Sequence, residues 1–279
     1  MNALRTTVLL AAITGLFVGI GYLVGGPIGS AIALVIAAVM NLTAYWSSDK
    51  LALRMASARE VTVREEPGLH SIVDEIAARA QLPKPRVYVI QSDTPNAFAT
   101  GRNPEHAAVA VTTGIMRLLT DRELRGVLGH ELGHVKNRDI LISSIVATLA
   151  GAISMLAWMS LFFRGSRGSY GMVISLAAFL LAPIAAGLIQ AGISRAREYQ
   201  ADYSGAQISQ DPEALASALE KLHRGVQARP MEASPMAQST AHLYIVHPFK
   251  GGGIANLFST HPPVEERVRR LRSKAFRSL

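Results

Sequence analysis

The chain has 279 residues, is 49% hydrophobic and only 17% charged, and has a mean hydropathy of +0.25. Charged residues are scarcer than in an average soluble protein. Because the chain contains no cysteine, disulfides, thiolate nucleophiles and cysteine-based zinc sites are excluded. The formal net charge is +8, but no basic stripe with interleaved aromatic residues is present, which argues against nucleic-acid binding.

The apolar residues are concentrated in segments 1–48 and 140–193, which contain no Asp or Glu. Four uncharged runs within them, 6–24, 28–46, 140–163 and 172–193, have the length needed to cross a bilayer. A signal peptide is the alternative for the first run, and a buried helical hairpin in a soluble core is the alternative for the last two. The pattern predicts a mainly α-helical integral membrane protein with four transmembrane helices.

The segments outside these runs are soluble in character. Residues 67–81 have the periodicity of an amphipathic helix, and 86–90 and 107–112 have that of strands, with the turn-rich sequence DTPNAFATGRNPEHA between the strands. Further on, Asp211 followed by Pro212 predicts the start of a helix that runs to about 226, then a loop over 227–253 and a basic helix over 263–277. We therefore divide the chain into an N-terminal transmembrane hairpin (1–46), the first half of a soluble domain (47–139), a second transmembrane hairpin (140–193) and the second half of the soluble domain (194–279).

The distribution of Lys and Arg predicts the orientation of the chain. If all four runs span, 26 of the 28 Lys and Arg residues lie on one side, and only Arg164 and Arg167 lie on the other. Positive charge is retained on the cytoplasmic side of a membrane. We expect both soluble halves and both termini to be cytoplasmic.

One helix carries a metal-binding pattern. Thr120 and Glu123 have the spacing of a capping box, which predicts that a helix begins at Asp121. On that helix His130 and His134 share one face and can bind one zinc ion. Glu131, beside the first histidine, is then placed to take a proton from a water molecule that the ion activates. The alternative is a polar helix whose histidines are only solvated or hydrogen-bonded.

A catalytic zinc site needs a third protein ligand. Glu198 lies on a predicted helix just after the fourth run, with Asp202 one turn later on the same face. Glu198 has the chemistry of a third ligand, and Asp202 that of a carboxylate that accepts the free N–H of a ligand histidine. The alternative is a solvated helix face in which both pair with Arg195 and Arg197.

Three motifs in this order resemble a known family. HELGH at 130–134, SRAREYQAD at 194–202 and FSTHPPVEER at 258–267, together with PNAFATG at 95–101, are similar to the HtpX heat-shock membrane metalloproteases, which are related to the CAAX prenyl proteases. The resemblance covers essentially the whole chain. It implies an α+β zincin-like catalytic domain with a small sheet and a zinc metalloendopeptidase activity of the gluzincin type, with Glu as third ligand. It also implies a place in the bacterial inner membrane, a role in the stress response, and damaged or unfolded membrane proteins as substrates, with self-cleavage.

The resemblance also assigns roles to single residues. For two of them the sequence itself allows a non-functional alternative. His261 before two prolines has the alternative of a turn residue, and Arg267 that of a solvated helix-surface charge. The implied roles are one Zn²⁺ held by His130, His134 and Glu198; catalysis by Glu131 as base and His261 as oxyanion donor; support of a ligand by Asp202; and substrate binding by Asn96 and Arg267.

Other functions are weaker readings of the same sequence. A CAAX-type protease that trims prenylated peptides is the alternative enzyme, although that group usually has more spans. A transporter or channel usually has ionisable residues inside its spans, and the four runs contain no Asp, Glu, Lys, Arg or His. A scaffold with a relict site would have no use for an intact Glu131.

Overall fold

The computed structural model describes residues 2–141, 143–145, 195–228, 245–246 and 262–273. The predicted runs 140–163 and 172–193 lie outside these residues except for the first few positions of 140–163, so the second transmembrane hairpin is not tested. The described helices are α1 (Asn2–Met55), α2 (Pro67–Ala80), α3 (Thr113–Leu118), α4 (Asp121–Lys136), α5 (Arg195–Ser209), α6 (Pro212–Ala228) and α7 (Val264–Leu271). The strands are β1 (Arg59–Glu60), β2 (Arg86–Ile90), β3 (Ala97–Thr100) and β4 (Ala108–Thr112), with a short 3₁₀ turn at Pro104–His106.

The N-terminal segment α1 folds back on itself as a helical hairpin. Its helix is broken at Gly25 and Gly26, and Gly26 has a φ of 59° that favours glycine. The two arms touch where Asn41 Nδ2 donates to Thr14 Oγ1 at 2.8 Å. Among the described residues, only Gly25–Ser47 is long and apolar enough to cross a membrane, while the first arm contains the shorter apolar stretch Leu10–Gly19. The prediction of a span at 28–46 is thus supported, and the span predicted at 6–24 is not confirmed.

The end of α1 packs directly on the sheet. Ala52 and Leu53 are buried against Tyr88, Phe98, Ala108 and Ala110, which all lie on one face of the sheet. Asp49, a turn earlier, forms a salt bridge of 2.9 Å with Arg86 on β2. The apolar hairpin is therefore in direct contact with the sheet.

The sheet has four strands in the order β1-β2-β4-β3. Strands β2 and β4 are parallel, and β3, which lies between them in the chain, pairs antiparallel with β4 at the sheet edge. The predicted strands at 86–90 and 107–112 are confirmed to within one residue. However, the turn-rich segment between them contains β3, whose four residues are all buried. This strand is too short, and too closely flanked by Pro, Asn and Gly, to give a strand pattern of its own.

The second face of the sheet and helices α2 to α7 contribute residues to the main core. Residues at alternate positions of the strands, such as Val87, Val89, Val109 and Val111, face this core. Helix α4 lies in its centre and contacts α2, α5, α6 and β3. The helices predicted at 67–81 and from Pro212 are confirmed, and α6 extends to Ala228, slightly into the predicted loop. The fold is mostly helical with a small mixed sheet.

Candidate active site

Helix α4 begins as its sequence predicts. The Thr120 side chain accepts the Glu123 N–H, and the Glu123 carboxylate accepts the Thr120 N–H at 2.9 Å, which completes a capping box. Glu123 also accepts hydrogen bonds from Ser217 at 2.6 Å and from Lys221 at 2.7 Å on α6. These contacts fix the start of α4 at Asp121. His130 and His134 follow on the same helix, 9 and 13 residues later.

Helices α4 and α5 cross at very short distance. A Cβ atom at Gly205 would lie 2.7 Å from both the Cα and the backbone nitrogen of His130, a separation that no side chain tolerates. A Cβ atom at Gly129 on α4 would likewise lie only 3.0 Å from the Gly205 carbonyl oxygen. Because the backbones approach so closely, side chains one and two turns before Gly205 on α5 come to lie against His130 and His134.

Three side chains converge on one point between these helices. The Nε2 atoms of His130 and His134 are 3.2 Å apart, and each is 3.7 Å from an oxygen of Glu198. Nitrogen and oxygen ligands about 2.0–2.1 Å from a tetrahedral zinc ion lie roughly 3.4 Å from one another. Both the spacing and the donor set therefore fit zinc. Glu198 is buried, so the alternative of a solvated helix face is wrong.

Behind His130 lies a buried ion pair. His130 Nδ1 donates to Asp202 Oδ1 at 2.9 Å, and Arg267 on α7 holds the same carboxylate with its Nε at 2.9 Å and its Nη2 at 2.6 Å. Arg267 is 0% exposed, so the alternative of a solvated surface charge is wrong for this residue. The pair fixes the ring of His130 with Nε2 toward Glu198.

Behind His134 lies a second carboxylate, that of Asp139. His134 Nδ1 faces Asp139 Oδ2 at 3.2 Å, and Asp139 is buried. Each of the two histidines therefore presents Nε2 to the converging point and Nδ1 to a carboxylate. Hydrogen bonds of this kind fix the ring orientation and increase the basicity of a ligand histidine.

Glu131 points to the edge strand of the sheet. Its Oε2 accepts a hydrogen bond of 2.9 Å from the backbone N–H of Ala99 on β3. Burial raises the pKa of Glu131 to about 7. A carboxylate whose pKa lies near the working pH is suited to accept a proton and return it.

The two histidines differ in their electrostatic surroundings. Burial lowers the pKa of His130 to about 4. Burial also acts to lower the pKa of His134, but the charges of Asp139 and Glu198 outweigh it and raise that pKa to about 10. Zinc binds the neutral imidazole, so the two ligands are unequal before the ion is present.

The Asp202 carboxylate is held in its charged form. Burial alone would raise its pKa, but the Arg267 guanidinium and the hydrogen bond from His130 outweigh burial and lower the pKa to about 2. Asp202 is therefore an acceptor for His130 at any pH at which the fold is expected to persist.

Of the two predicted substrate-binding residues, both lie in the interior. Asn96 directly precedes β3, is 1% exposed, and its Oδ1 accepts the Ile245 N–H at 3.2 Å. Arg267 Nη1 donates to the carbonyl oxygen of that same Ile245 at 3.1 Å. The two residues are thus joined through one backbone unit. His261 lies outside the described residues.

Sequence reasoning missed Asp139, Ala99 and Gly205 as parts of the site. Asp139 follows His134 by five residues, a spacing that brings side chains together only if the helix ends in a particular turn. Ala99 acts through its backbone, which leaves no trace in the side-chain pattern. Gly205 has a partial signal, since Gly129 and Gly133 on α4 are small residues one turn apart and both face α5.

Comparison with known proteins identifies the family to which the chain belongs. Residues 63–275 match the family model described as peptidase family M48. The chain is 57% identical over 274 residues to a protease HtpX homolog of Methylibium petroleiphilum, which covers 97% of this chain and 96% of that protein. It is also 57% identical over 278 residues to a protease HtpX homolog of Paraburkholderia phytofirmans, with 98% and 97% covered.

A solved structure supports the fold. The chain is similar to Ste24p of S. mikatae with a TM-score of 0.51 at 18% sequence identity, over 97% of this chain. It spans only 65% of the length of that protein. At this identity the likeness concerns architecture, while the family assignment depends on the match over 63–275 and on the HtpX homologues. This chain belongs to peptidase family M48.

Proposed function

We propose that this chain is a membrane zinc endopeptidase that cleaves damaged or misfolded membrane proteins on the cytoplasmic side of a bacterial inner membrane. The observation that carries the proposal is the convergence of His130, His134 and Glu198, with each ligand atom within 4.8 Å of the others. Glu131, which lies between the two histidines in sequence, adds a carboxylate that contacts the edge strand β3. Membership of peptidase family M48 and the resemblance to HtpX proteases support the same conclusion.

The chemistry follows from the residues around the site. When bound by two histidines and a glutamate, zinc acidifies a water molecule and polarises a carbonyl group. Glu131 takes the proton of the attacking water and delivers it to the leaving amine. Asp202 with Arg267 keeps His130 in position, and His261 is proposed as a donor to the oxyanion of the tetrahedral intermediate.

The outer edge of β3, with which no further strand among the described residues pairs, is proposed to hold the substrate. Phe98 and Thr100 are opposite Ala110 and Ala108 of β4, while the Ala99 N–H points away from β4 to Glu131. A peptide can add to such an edge as a further strand, held by main-chain hydrogen bonds. This arrangement would place the scissile bond beside Glu131. Since Asn96 is buried and bonded to Ile245, we assign it to the support of β3 and not to direct contact with the peptide.

The membrane arrangement is also a proposal. Four spans divide the Lys and Arg residues 26 to 2, which supports a cytoplasmic soluble domain formed from 47–139 and 194–279, with transmembrane hairpins at 1–46 and 140–193. The contact of α1 with the sheet supports a site close to the membrane surface. Cysteine accessibility labelling at Lys84, an exposed position of the soluble domain, tests the orientation.

The test of the activity uses detergent-purified protein and casein as substrate. Wild type is expected to cleave casein, and itself, with zinc and to stop when a chelator is added. Glu131→Gln is expected to keep the bound zinc and lose cleavage, because the amide cannot accept the proton. Cleavage that survives the chelator, or that is undiminished in zinc-loaded Glu131→Gln, would contradict the proposal.

A matched control separates the role of Glu131 from a general effect of glutamate substitution. Glu105 lies on the exposed 3₁₀ turn beyond β3, so Glu105→Gln is expected to cleave at the wild-type rate. A farnesylated CAAX peptide in the same assay tests the alternative enzyme. Preference for the farnesylated peptide over its unmodified form would favour the prenyl-peptide protease.

A further inference from the structure

The zinc helix α4 ends in a left-handed turn, although no glycine stands at that position. Arg138 has a φ of 58°, in the left-handed region. The Arg138 N–H bonds to the Val135 carbonyl oxygen at 3.1 Å, and the Asp139 N–H bonds to the His134 carbonyl oxygen at 3.2 Å. These two bonds define a Schellman motif, in which residues 134 and 139 hold the positions whose side chains come together.

Helix ends of this type frequently have apolar side chains at these two positions, which pack against each other. Here one is a zinc ligand and the other an acid. Asp139 Oδ2 lies 3.2 Å from His134 Nδ1, while His134 Nε2 faces Glu198 and His130. The helix end therefore directs a carboxylate to the one ring nitrogen of His134 that does not face the metal site.

Among the residues that the structure describes, the Asp139 carboxylate forms a hydrogen bond only with His134. It is 3% exposed, and its second oxygen, Oδ1, has no hydrogen-bond partner among the described residues. Asp202, by contrast, is neutralised by the two bonds from Arg267. A buried carboxylate is costly unless another charge compensates it, and His134, the group that Asp139 faces, can supply that charge either as an imidazolium or through a bound cation.

We propose that Asp139 is a positioning residue for zinc: its carboxylate accepts the Nδ1–H of His134, fixes the Nε2 tautomer as the ligand and increases the affinity for the ion. The proposal rests on the zinc site proposed above. It adds a second carboxylate–histidine contact to the one formed by Asp202. The local turn at the end of α4, and not a distant part of the chain, supplies it.

The test is the zinc dissociation constant in purified full-length protein, measured by competition with a chromogenic chelator. Asp139→Asn is expected to bind zinc about 10- to 100-fold more weakly than wild type, the usual effect of removing such a carboxylate. Asp49→Asn makes the same change at another buried aspartate, which pairs with Arg86 far along the chain, and is expected to keep the wild-type affinity. A purely structural residue would lower the melting temperature of the zinc-free protein without this effect, so unchanged zinc affinity in Asp139→Asn would overturn the inference.

A second measurement needs no variant. In zinc-loaded wild type labelled with ¹⁵N-histidine, NMR is expected to show His134 with a protonated Nδ1 and metal-bound Nε2. Protonated Nε2 and metal-bound Nδ1 would overturn the inference even if Asp139→Asn failed to fold. If wild type binds no zinc at all, the proposed function fails instead, so the two failures are distinguishable.

Discussion

The two histidines of the site are held by carboxylates in contrasting ways. Asp202 reaches His130 from another helix, 72 residues later in the chain, and is itself held by Arg267 from a third helix. Asp139 reaches His134 from the turn that ends the same helix. The first contact exists only when α4, α5 and α7 are assembled, whereas the second depends on a local backbone geometry. We infer that the orientation of the His130 ring depends on the packing of three helices, whereas that of the His134 ring depends on the turn that ends the zinc helix.

The largest effect that would sharpen this comparison is expected for Arg267→Met. Removing the guanidinium leaves the Asp202 carboxylate buried without its cation, which typically costs about 3–5 kcal/mol. The free energy of unfolding in detergent measures the loss. Arg269→Met on the same helix is the control, because Arg269 is exposed and an exposed ion pair contributes roughly 0–1 kcal/mol. Equal stability of Arg267→Met and Arg269→Met would contradict the role given to the buried pair.

Asp202→Asn and Asp139→Asn are expected to have similar effects on zinc affinity but different effects on stability. Both should weaken zinc binding by about 10- to 100-fold, because each removes a carboxylate behind a ligand histidine. Asp202→Asn also leaves the charge of Arg267 buried without its carboxylate, and a guanidinium cannot become neutral as the imidazole of His134 can, so Asp202→Asn should lower the stability of the zinc-free protein more than Asp139→Asn. Zinc titration and thermal melting of the two zinc-free variants measure this. The comparison fails if both variants melt alike.

A smaller effect is expected at the other end of the zinc helix. Burial alone would raise the pKa of Glu123, but hydrogen bonds from Lys221, Ser217 and Thr120 outweigh it and lower the pKa from 4.5 to about 2. Glu123→Gln should therefore lose about 1–2 kcal/mol of stability at pH 7 and keep the wild-type affinity for zinc, since Glu123 is remote from the ligands.

The sign of the pH dependence follows from the lowered pKa. Charged Glu123 stabilises the fold above pH 4.5, and that contribution is lost as the pH falls from 4.5 toward 2. The stability difference between wild type and Glu123→Gln should be constant from pH 7 to pH 5.5 and then shrink on acidification. A difference that grows as the pH falls would be the opposite of what the hydrogen bonds predict.

Much of the site could be predicted from local patterns. The capping box, the helical spacing of His130 and His134, and the strands at 86–90 and 107–112 are properties of short segments, and the structure confirms them. Spacing alone left Glu198 open between a ligand and a solvated residue. Only the crossing of α4 and α5, which Gly205 permits, brings Glu198 to the histidines.

Other features could not be read from the chain because they depend on backbone geometry or on tertiary contacts. The left-handed Arg138 that directs Asp139 to His134 is not a glycine, so the usual sequence mark of such a helix end is missing. The edge strand β3 is a strand because it pairs with β4, not because of its own four residues. Arg267 resembles a surface charge in a basic helix, and its burial follows from Asp202 and the Ile245 carbonyl.

The central claim is that Glu198 completes the zinc site, and zinc stoichiometry tests it most directly. Wild type and Glu131→Gln, purified in detergent and dialysed against trace zinc, are expected to retain about one zinc ion per chain, as a single His₂Glu site requires. Glu198→Gln is expected to retain far less than one, because the amide is a poor zinc ligand. Full zinc occupancy in Glu198→Gln would contradict the account, and loss of zinc in Glu198→Gln alone is the result that it predicts.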